Sequence, residues 1–145
     1  VEQRADVLCY TSAPLAADLE VTGPVTLRLF VSTSARDTDF TGKLVDVHPD
    51  GRAMILTDGI LRARYRESLS APKPMTPEEV CEVEIDLVAT SNLFRAGHRL
   101  RLEVSSSNFP RFDRNTNSGG DIATETEADF VVATNRVWHD TSRPS

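Results

Sequence analysis

Alternation of apolar and polar residues is the dominant pattern along the chain, and it predicts β-strands joined by turns. Leu100, Leu102 and Val104 alternate with charged residues, so an apolar row lies on one face of a predicted strand. The same period of two recurs in the stretches 25–32 and 81–89. These three stretches are the best-defined strands that the sequence predicts.

The stretch 40–47 is apolar at neighbouring positions as well as alternate ones, which predicts a central strand covered on both faces. Asp46 lies inside this run, and a carboxylate there is costly to bury unless it has a partner. The sequence His-Pro-Asp-Gly at 48–51 predicts a hairpin turn, and residues 53–57 form the returning strand. We expect a second turn at Asp58-Gly59.

Residues 61–66 alternate between apolar residues and arginines, which predicts another strand with Arg62, Arg64 and Arg66 on one face. Three cations on one face require solvent, acidic neighbours or a partner surface. A solvated face is the simplest interpretation. A contact with another domain is the alternative.

Shorter or weaker signals complete the pattern. The runs 7–10 and 136–138 predict short strands, and residues 128–132 alternate less clearly. Turn signals recur about every ten residues, and no convincing helix is predicted. The sequence therefore predicts an all-β protein of about seven or eight strands, either an antiparallel sandwich or a jelly roll.

The strand that ends near Val104 is followed by a polar loop. Pro110 cannot continue a strand because it lacks a backbone donor, and residues 113–119 are rich in the Asp, Asn, Ser and Gly typical of turns. A loop held by a rigid sheet is a common place for a functional surface. The loop 108–117 is therefore a candidate site.

Length and charge narrow the classes of function. The 145 residues are enough for one domain with a sizeable core. The net charge of −6 argues against a nucleic-acid partner, and no uncharged run approaches the roughly 18 residues that a membrane span needs. We expect neither partner, and no motif predicts a cofactor.

Catalytic motifs were sought and not found. The Gly-x-Ser-x-Gly sequence of a serine hydrolase is missing from the chain. His48, His98 and His139 show no zinc-binding spacing, so we expect ordinary surface or turn histidines and no metal site from them. Cys9 and Cys81 are expected to be buried free thiols, although one disulfide remains possible.

The loop has two further interpretations. Asp113, Asn115 and Asn117 place oxygen atoms at alternate positions as a calcium loop does, and residues 37–39 could add more. Ser118 departs from the calcium pattern, and a self-hydrogen-bonded Asx turn is the alternative.

Aromatic residues near the loop suggest a second pair of alternatives. Phe109, Phe112 and Trp138 could form a carbohydrate platform, or they could pack at an interface between domains.

Four segments together resemble one known family. They are residues 4–15 (RADVLCYTSAPL), 20–25 (EVTGPV), 37–51 (DTDFTGKLVDVHPDG) and 105–119 (SSSNFPRFDRNTNSG). In this order they are similar to the C-terminal domain of the cocaine esterase / X-Pro dipeptidyl-peptidase (CocE/NonD) hydrolases, and the resemblance spans nearly the whole chain.

The resemblance implies a jelly-roll β-sandwich, similar to galactose-binding-like domains, behind an upstream α/β-hydrolase domain that holds the catalytic triad. We expect residues 1–145 to be one such domain and a fragment of a longer chain, one that stops short of a last apolar strand of the family. No catalytic residue carries over, so the fragment is not expected to be catalytic by itself. The parent is expected to be an esterase or an X-Pro dipeptidyl-peptidase.

The predicted function is therefore an accessory domain that packs on the catalytic domain and stabilises or shapes it; a carbohydrate-binding module is the alternative. The candidate interdomain contacts are Arg62, Arg64, Arg66, Asn108, Phe109, Arg111, Asp113, Asn115 and Asn117. A homo-oligomer is left open, and a cytoplasmic location is expected.

Overall fold

A computed structural model describes residues 4–145, and residues 1–3 of the expected domain lie outside this range. The described residues form eight strands and two short 3-10 helices. The strands are β1 (Leu8–Thr11), β2 (Leu19–Thr33), β3 (Asp39–Val47), β4 (Ala53–Arg62), β5 (Cys81–Phe94), β6 (Arg99–Ser105), β7 (Asn135–Asp140) and β8 (Arg143–Pro144). Within this range, no helix has the length and apolar character needed to cross a bilayer.

The strands form two four-stranded sheets that pack face to face. The first has the order β1-β6-β3-β4 and the second the order β5-β2-β7-β8, with every pairing antiparallel. The expected all-β, antiparallel sandwich of jelly-roll type is confirmed, at the upper end of the expected strand number.

The core lies between the sheets and follows the predicted alternation. Leu29 and Val31 of β2 are buried, as are Val83 and Ile85 of β5. Phe40 of β3 packs against this row from the facing sheet. Each fully buried aliphatic or aromatic side chain contributes about 1.5–3 kcal/mol relative to an exposed one.

The central position predicted for the stretch 40–47 is confirmed. β3 lies between β6 and β4, and most of its residues are buried. Asp46 is buried within it and has a partner, because Nδ1 of His98 lies 2.8 Å from its Oδ1.

Two predicted element boundaries are wrong. β4 continues through Asp58-Gly59 without a turn and ends at Arg62, so residues 63–65 form a 3-10 helix instead of a strand. The weak alternation at 128–132 is not a strand either, since a 3-10 helix (Glu127–Asp129) and an extended segment occupy it.

The prediction for the two thiols is wrong for one of them. Cys9 is exposed, like the other residues of β1, which is an edge strand paired with β6. Cys81 is half-buried, and burial raises the pKa of its thiol above the ordinary value. Both lie in the described range, and they form no disulfide with each other.

Candidate docking surface

Two buried carboxylates anchor the end of the sandwich where β3 begins. Asp37 and Asp39 are 0% and 1% exposed. Nε and Nη2 of Arg62 donate to the two oxygens of Asp39 at 3.0 and 3.2 Å. Nε of Arg64 donates to Oδ2 of Asp37 at 2.7 Å, and the Arg64 backbone N–H donates to Oδ1 at 2.9 Å. The hydrogen bond to Asp39 raises the pKa of Arg62.

Asn115 joins the loop to both carboxylates. Its Nδ2 donates to Asp37 and to Asp39, at 2.8 Å each, and Asn115 itself is buried. Its Oδ1 accepts the backbone N–H of Asn117 at 2.9 Å, which is an Asx turn. Asn117 adopts φ of 63°, a left-handed conformation that asparagine tolerates better than most residues.

This geometry favours the Asx turn over the calcium loop. Oδ1 of Asn115 accepts the backbone N–H of Asn117. Guanidinium and amide groups donate hydrogen bonds to the carboxylate oxygens of Asp37 and Asp39. These donors already balance the buried negative charge, so the cluster needs no bound cation.

The three arginines do not share a strand face. Arg62 ends β4, Arg64 lies within the 3-10 helix, and Arg66 follows it. Arg66 turns inward, where its Nη1 donates to the carbonyl oxygens of Ala63 and Lys73 at 3.0 and 2.7 Å. The side chains of Arg62, Arg64 and Arg66 are only 27%, 15% and 10% exposed, so the solvated face predicted for them is wrong.

A second anchor holds the start of the loop. Asn108 donates from Nδ2 to Oδ2 of Asp58 at 2.7 Å, and Arg111 forms an ion pair with the same carboxylate. Asp58 lies on β4, so both loop residues are fixed to the first sheet. The bond between Phe109 and Pro110 is cis.

Between these anchors the loop presents aromatic and arginine side chains to solvent. Phe109 is 64% exposed. The guanidinium of Arg114 lies over the rings of Phe109 and Phe130, at 5.9 and 5.0 Å from their centroids. Val132, two residues after Phe130 in the chain, is 94% exposed. We call the set Phe109, Phe112, Arg114, Phe130 and Val132 the loop surface.

A polar cleft of about 620 Å³ adjoins the loop surface. The residues that line it include Arg62, Arg64, Tyr65, Phe109 and Phe130. The Arg114 guanidinium lies over the Phe109 and Phe130 rings, and the Arg143 guanidinium lies 4.4 Å from the Trp138 ring centroid, so a sugar would compete with an arginine for these ring faces. This arrangement suits a protein contact better than a carbohydrate platform.

The structure separates the nine predicted contact residues into two groups. Phe109, Arg111 and Asp113 are exposed and available to a partner. The others are buried or half-buried and support the loop from beneath: Arg62, Arg64, Arg66, Asn108, Asn115 and Asn117.

Sequence reasoning missed the paired role of two acidic residues and three members of the loop surface: Arg114, Phe130 and Val132. Asp37 and Asp39 had only a weak signal, because the arginines that pair with them lie 27 and 23 residues further along the chain. Arg114 and Phe130 had none, since they lie 16 residues apart and meet only through the tertiary fold.

Comparison with known proteins agrees with these observations. Residues 1–145 match the family described as X-Pro dipeptidyl-peptidase C-terminal non-catalytic domain. The chain is 54% identical over its full length to the cocaine esterase of Rhodococcus sp. (strain MB1 Bresler), of which it covers 25%.

Solved structures show the same similarity. An aminopeptidase from a marine sediment Thaumarchaeota archaeon is 38% identical, with a TM-score of 0.90, and the match covers 94% of this chain and 24% of that one. An α-amino acid ester hydrolase is 35% identical, with a TM-score of 0.91 and the same coverage. The chain thus spans about a quarter of the length of these relatives. It belongs to the family of X-Pro dipeptidyl-peptidase C-terminal non-catalytic domains.

Proposed function

We propose that this domain packs through its loop surface on the catalytic domain of a serine hydrolase of the esterase or X-Pro dipeptidyl-peptidase type. The domain stabilises that catalytic domain and helps to shape the side of its substrate cleft. The names of the relatives, an esterase, an aminopeptidase and an ester hydrolase, support this class of parent activity.

The observation that carries the proposal is the exposure of aromatic side chains on a rigid support. The aromatic side chains of Phe109 and Phe130 are exposed, and two buried carboxylates fix the loop through Asn115. Aromatic and arginine side chains are enriched at the cores of protein interfaces, and large exposed apolar patches on a soluble domain often mark a contact. A partner that covers the loop surface would bury this apolar area.

The loop is already ordered within the domain, and this also favours a contact with a partner protein. Ordering a loop costs conformational entropy, and an interface built on a pre-ordered loop does not have to supply that free energy when it forms. Asn115 donates to Asp37 and Asn108 donates to Asp58, so side-chain hydrogen bonds within the domain hold the loop. The loop is therefore prepared for a partner of fixed shape, such as a folded catalytic domain.

The test compares Phe109→Ser in the full hydrolase and in this domain alone. In the domain alone the substitution should change the free energy of unfolding by no more than about 0.5 kcal/mol, because Phe109 is mostly exposed. In the full protein it should lower the stability by about 1–3 kcal/mol, since a buried aromatic contact is lost. Thermal unfolding and the half-life of ester hydrolysis report the difference.

Met54→Ser is the matched control. Met54 is 52% exposed at the start of β4, whereas the loop surface adjoins the end of that strand. Equal losses from Phe109→Ser in both contexts, or equal effects of the two substitutions in the full protein, would contradict docking through the loop surface. Binding of glycans by the domain would instead favour the carbohydrate-binding alternative.

Two further features of the parent remain predictions. The full protein could form a homo-oligomer, which sedimentation would detect. The full protein is expected in the cytoplasm, which fractionation of cells would test. The substitution Phe109→Ser would also lower the sedimentation coefficient if the loop surface joined two copies.

A further inference from the structure

Three side chains that commonly bind metal ions meet at the end of the sandwich opposite the loop surface. Asp46 lies near the end of β3, His48 begins the β3–β4 turn, and His98 lies just before β6. Nδ1 of His98 is 2.8 Å from Oδ1 of Asp46, and Nε2 of His48 is 4.0 Å from Oδ2. One ligand atom from each residue lies within 4.8 Å of the others.

Strand register brings the three together. Val47 pairs with Arg99, so His48 and His98 lie opposite each other one step beyond that pair. Asp46 and His48 are two residues apart and project to the same side of the strand. The imidazole rings lie 4.3 Å apart between centroids.

Backbone hydrogen bonds fix both histidines before any ligand binds. The His48 N–H donates to the Arg52 carbonyl at 2.8 Å, and the His98 N–H donates to the Arg95 carbonyl at 3.0 Å. The His98 carbonyl accepts the Leu15 N–H at 2.8 Å. A site preorganised in this way loses little conformational freedom when it takes up an ion.

Burial and chemistry fit a divalent transition metal. The side chains of Asp46 and His98 are 8% and 12% exposed, while that of His48 is 25% exposed and leaves access for water. Two imidazoles and one carboxylate are a common donor set for zinc. Bonds of about 2.0–2.1 Å in a tetrahedron place ligand atoms about 3.3–3.4 Å apart. Nδ1 of His98 and Nε2 of His48 lie 2.8 and 4.0 Å from different oxygens of Asp46, so the carboxylate and the rings would rotate to bring one oxygen and both nitrogens to the ion.

We propose that Asp46, His48 and His98 bind one divalent transition-metal ion, with zinc as the fitting example and water as the fourth ligand. The ion would join the β3–β4 turn to the β5–β6 turn and stabilise this end of the domain. The three residues lie far from the loop surface, so the role is structural and separate from docking.

The hydrogen bond between Arg52 and His48 opposes metal binding at this site. Nη2 of Arg52 lies 3.4 Å from Nδ1 of His48, and a guanidinium can only donate, so the proton of neutral His48 belongs on Nε2. Metal binding at Nε2 moves that proton to Nδ1, where it meets Arg52. His98, whose Nδ1 faces Oδ1 of Asp46, would bind the metal through Nδ1 and carry its proton on Nε2. Arg52 is 67% exposed and can turn away.

The experiment measures the binding of zinc chloride to the chelator-treated full protein by calorimetry. We expect one equivalent to bind and to raise the unfolding temperature, with Co²⁺ giving the visible spectrum of a tetrahedral site. Loss of a direct ligand in His48→Gln should weaken binding at least as much as the roughly 10–100-fold that changes around ligands cost. His139→Gln, which alters a histidine outside the cluster, is the control and should bind as the unaltered protein does.

Two results would overturn the site. One is zinc binding with unchanged affinity in His48→Gln, and the other is the lack of binding by the unaltered protein. Circular dichroism of His48→Gln verifies that the domain is folded, and His98→Gln provides a second ligand variant. Arg52→Ala should tighten zinc binding several-fold; unchanged or weaker binding would contradict Nε2 of His48 as the ligand atom.

Discussion

Arg64 donates two hydrogen bonds to one carboxylate, from its backbone N–H and from its side-chain Nε, and that carboxylate, on Asp37, is fully buried. Removing one partner of a buried ion pair typically costs about 3–5 kcal/mol, because the other charge remains buried without compensation. We expect Arg64→Ala to lower the free energy of unfolding by about that amount, measured by urea denaturation.

Arg28→Ala is the control for this prediction. Arg28 pairs with Glu82 at 3.0 Å, but its side chain is 63% exposed. Exposed ion pairs contribute about 0–1 kcal/mol, so this variant should remain close to the unaltered domain. A loss below 1 kcal/mol in Arg64→Ala would show that the remaining donors, including Asn115, are enough for Asp37.

Gly59→Ala should be strongly destabilising, for a steric reason. A methyl group at Gly59 would lie 2.1 Å from the backbone oxygen of Asp86, and backbone in the middle of two strands has little room to move. We expect a loss of about 3 kcal/mol or more in denaturant unfolding, at the upper end for overpacking.

Gly51→Ala gives the contrast. Gly51 has open space around it but a φ of 88°, so alanine there meets conformational strain without a clash. Its expected loss is about 1 kcal/mol. Equal losses in Gly51→Ala and Gly59→Ala would contradict the close approach of β4 to β5.

A substitution at Val88 should stabilise the domain, unlike the glycine substitutions above. This β-branched residue has a φ of 67° and is 61% exposed, at the irregular part of the pairing between β2 and β5. Left-handed backbone costs a non-glycine residue about 1–3 kcal/mol. Val88→Gly should therefore raise the free energy of unfolding by about 1 kcal/mol, after the entropy gained by the unfolded chain is subtracted.

Val88→Ala is the control, because alanine shares the left-handed penalty and removes only an exposed side chain. It should gain less than Val88→Gly. A loss of stability in Val88→Gly would mean that the valine side chain contributes more through packing than its backbone costs.

The hydrogen bonds of Asp18 should make the stability of the domain depend on pH. Its Oδ1 accepts the Ala96 N–H at 2.8 Å and its Oδ2 accepts Nη1 of Arg95 at 3.0 Å. The backbone hydrogen bond, and then the arginine, lower the pKa of Asp18 below its ordinary value of 3.8. Since the folded state has the lower pKa, this contribution is complete above the unfolded pKa and is lost as the pH falls through the folded one.

The stability difference between the unaltered domain and Asp18→Asn should therefore shrink below about pH 4. NMR titration of the carboxyl group measures the pKa directly. A value at or above 3.8 would contradict the hydrogen bonds to the β5–β6 turn.

The sequence predicted the strands where a repeating face is buried. Leu29 and Val83 are typical: each lies in an alternating run, and each is buried in the sandwich. The prediction was wrong at Asp58-Gly59, because glycine there provides room for a neighbouring strand instead of a turn. Local turn chemistry and a close approach of two backbones use the same residue type, so the sequence does not distinguish them.

The site was less predictable, because its contacts join distant parts of the chain. Asn115 meets Asp37 from 78 residues away, and His98 meets Asp46 from 52 residues away. The loop itself was predictable from Pro110 and the turn residues after it. The partners were not, because only strand order and register bring them to the same end of the sandwich.

Asp39 and Asp46 lie on the same strand, seven residues apart, at opposite ends of β3. At about 3.4 Å per residue their backbones are separated by about 24 Å. Effects of substitutions this far apart, with no shared partners, generally add. A substitution at one end of β3 can therefore be accepted during evolution without altering what the residues at the other end contribute to stability.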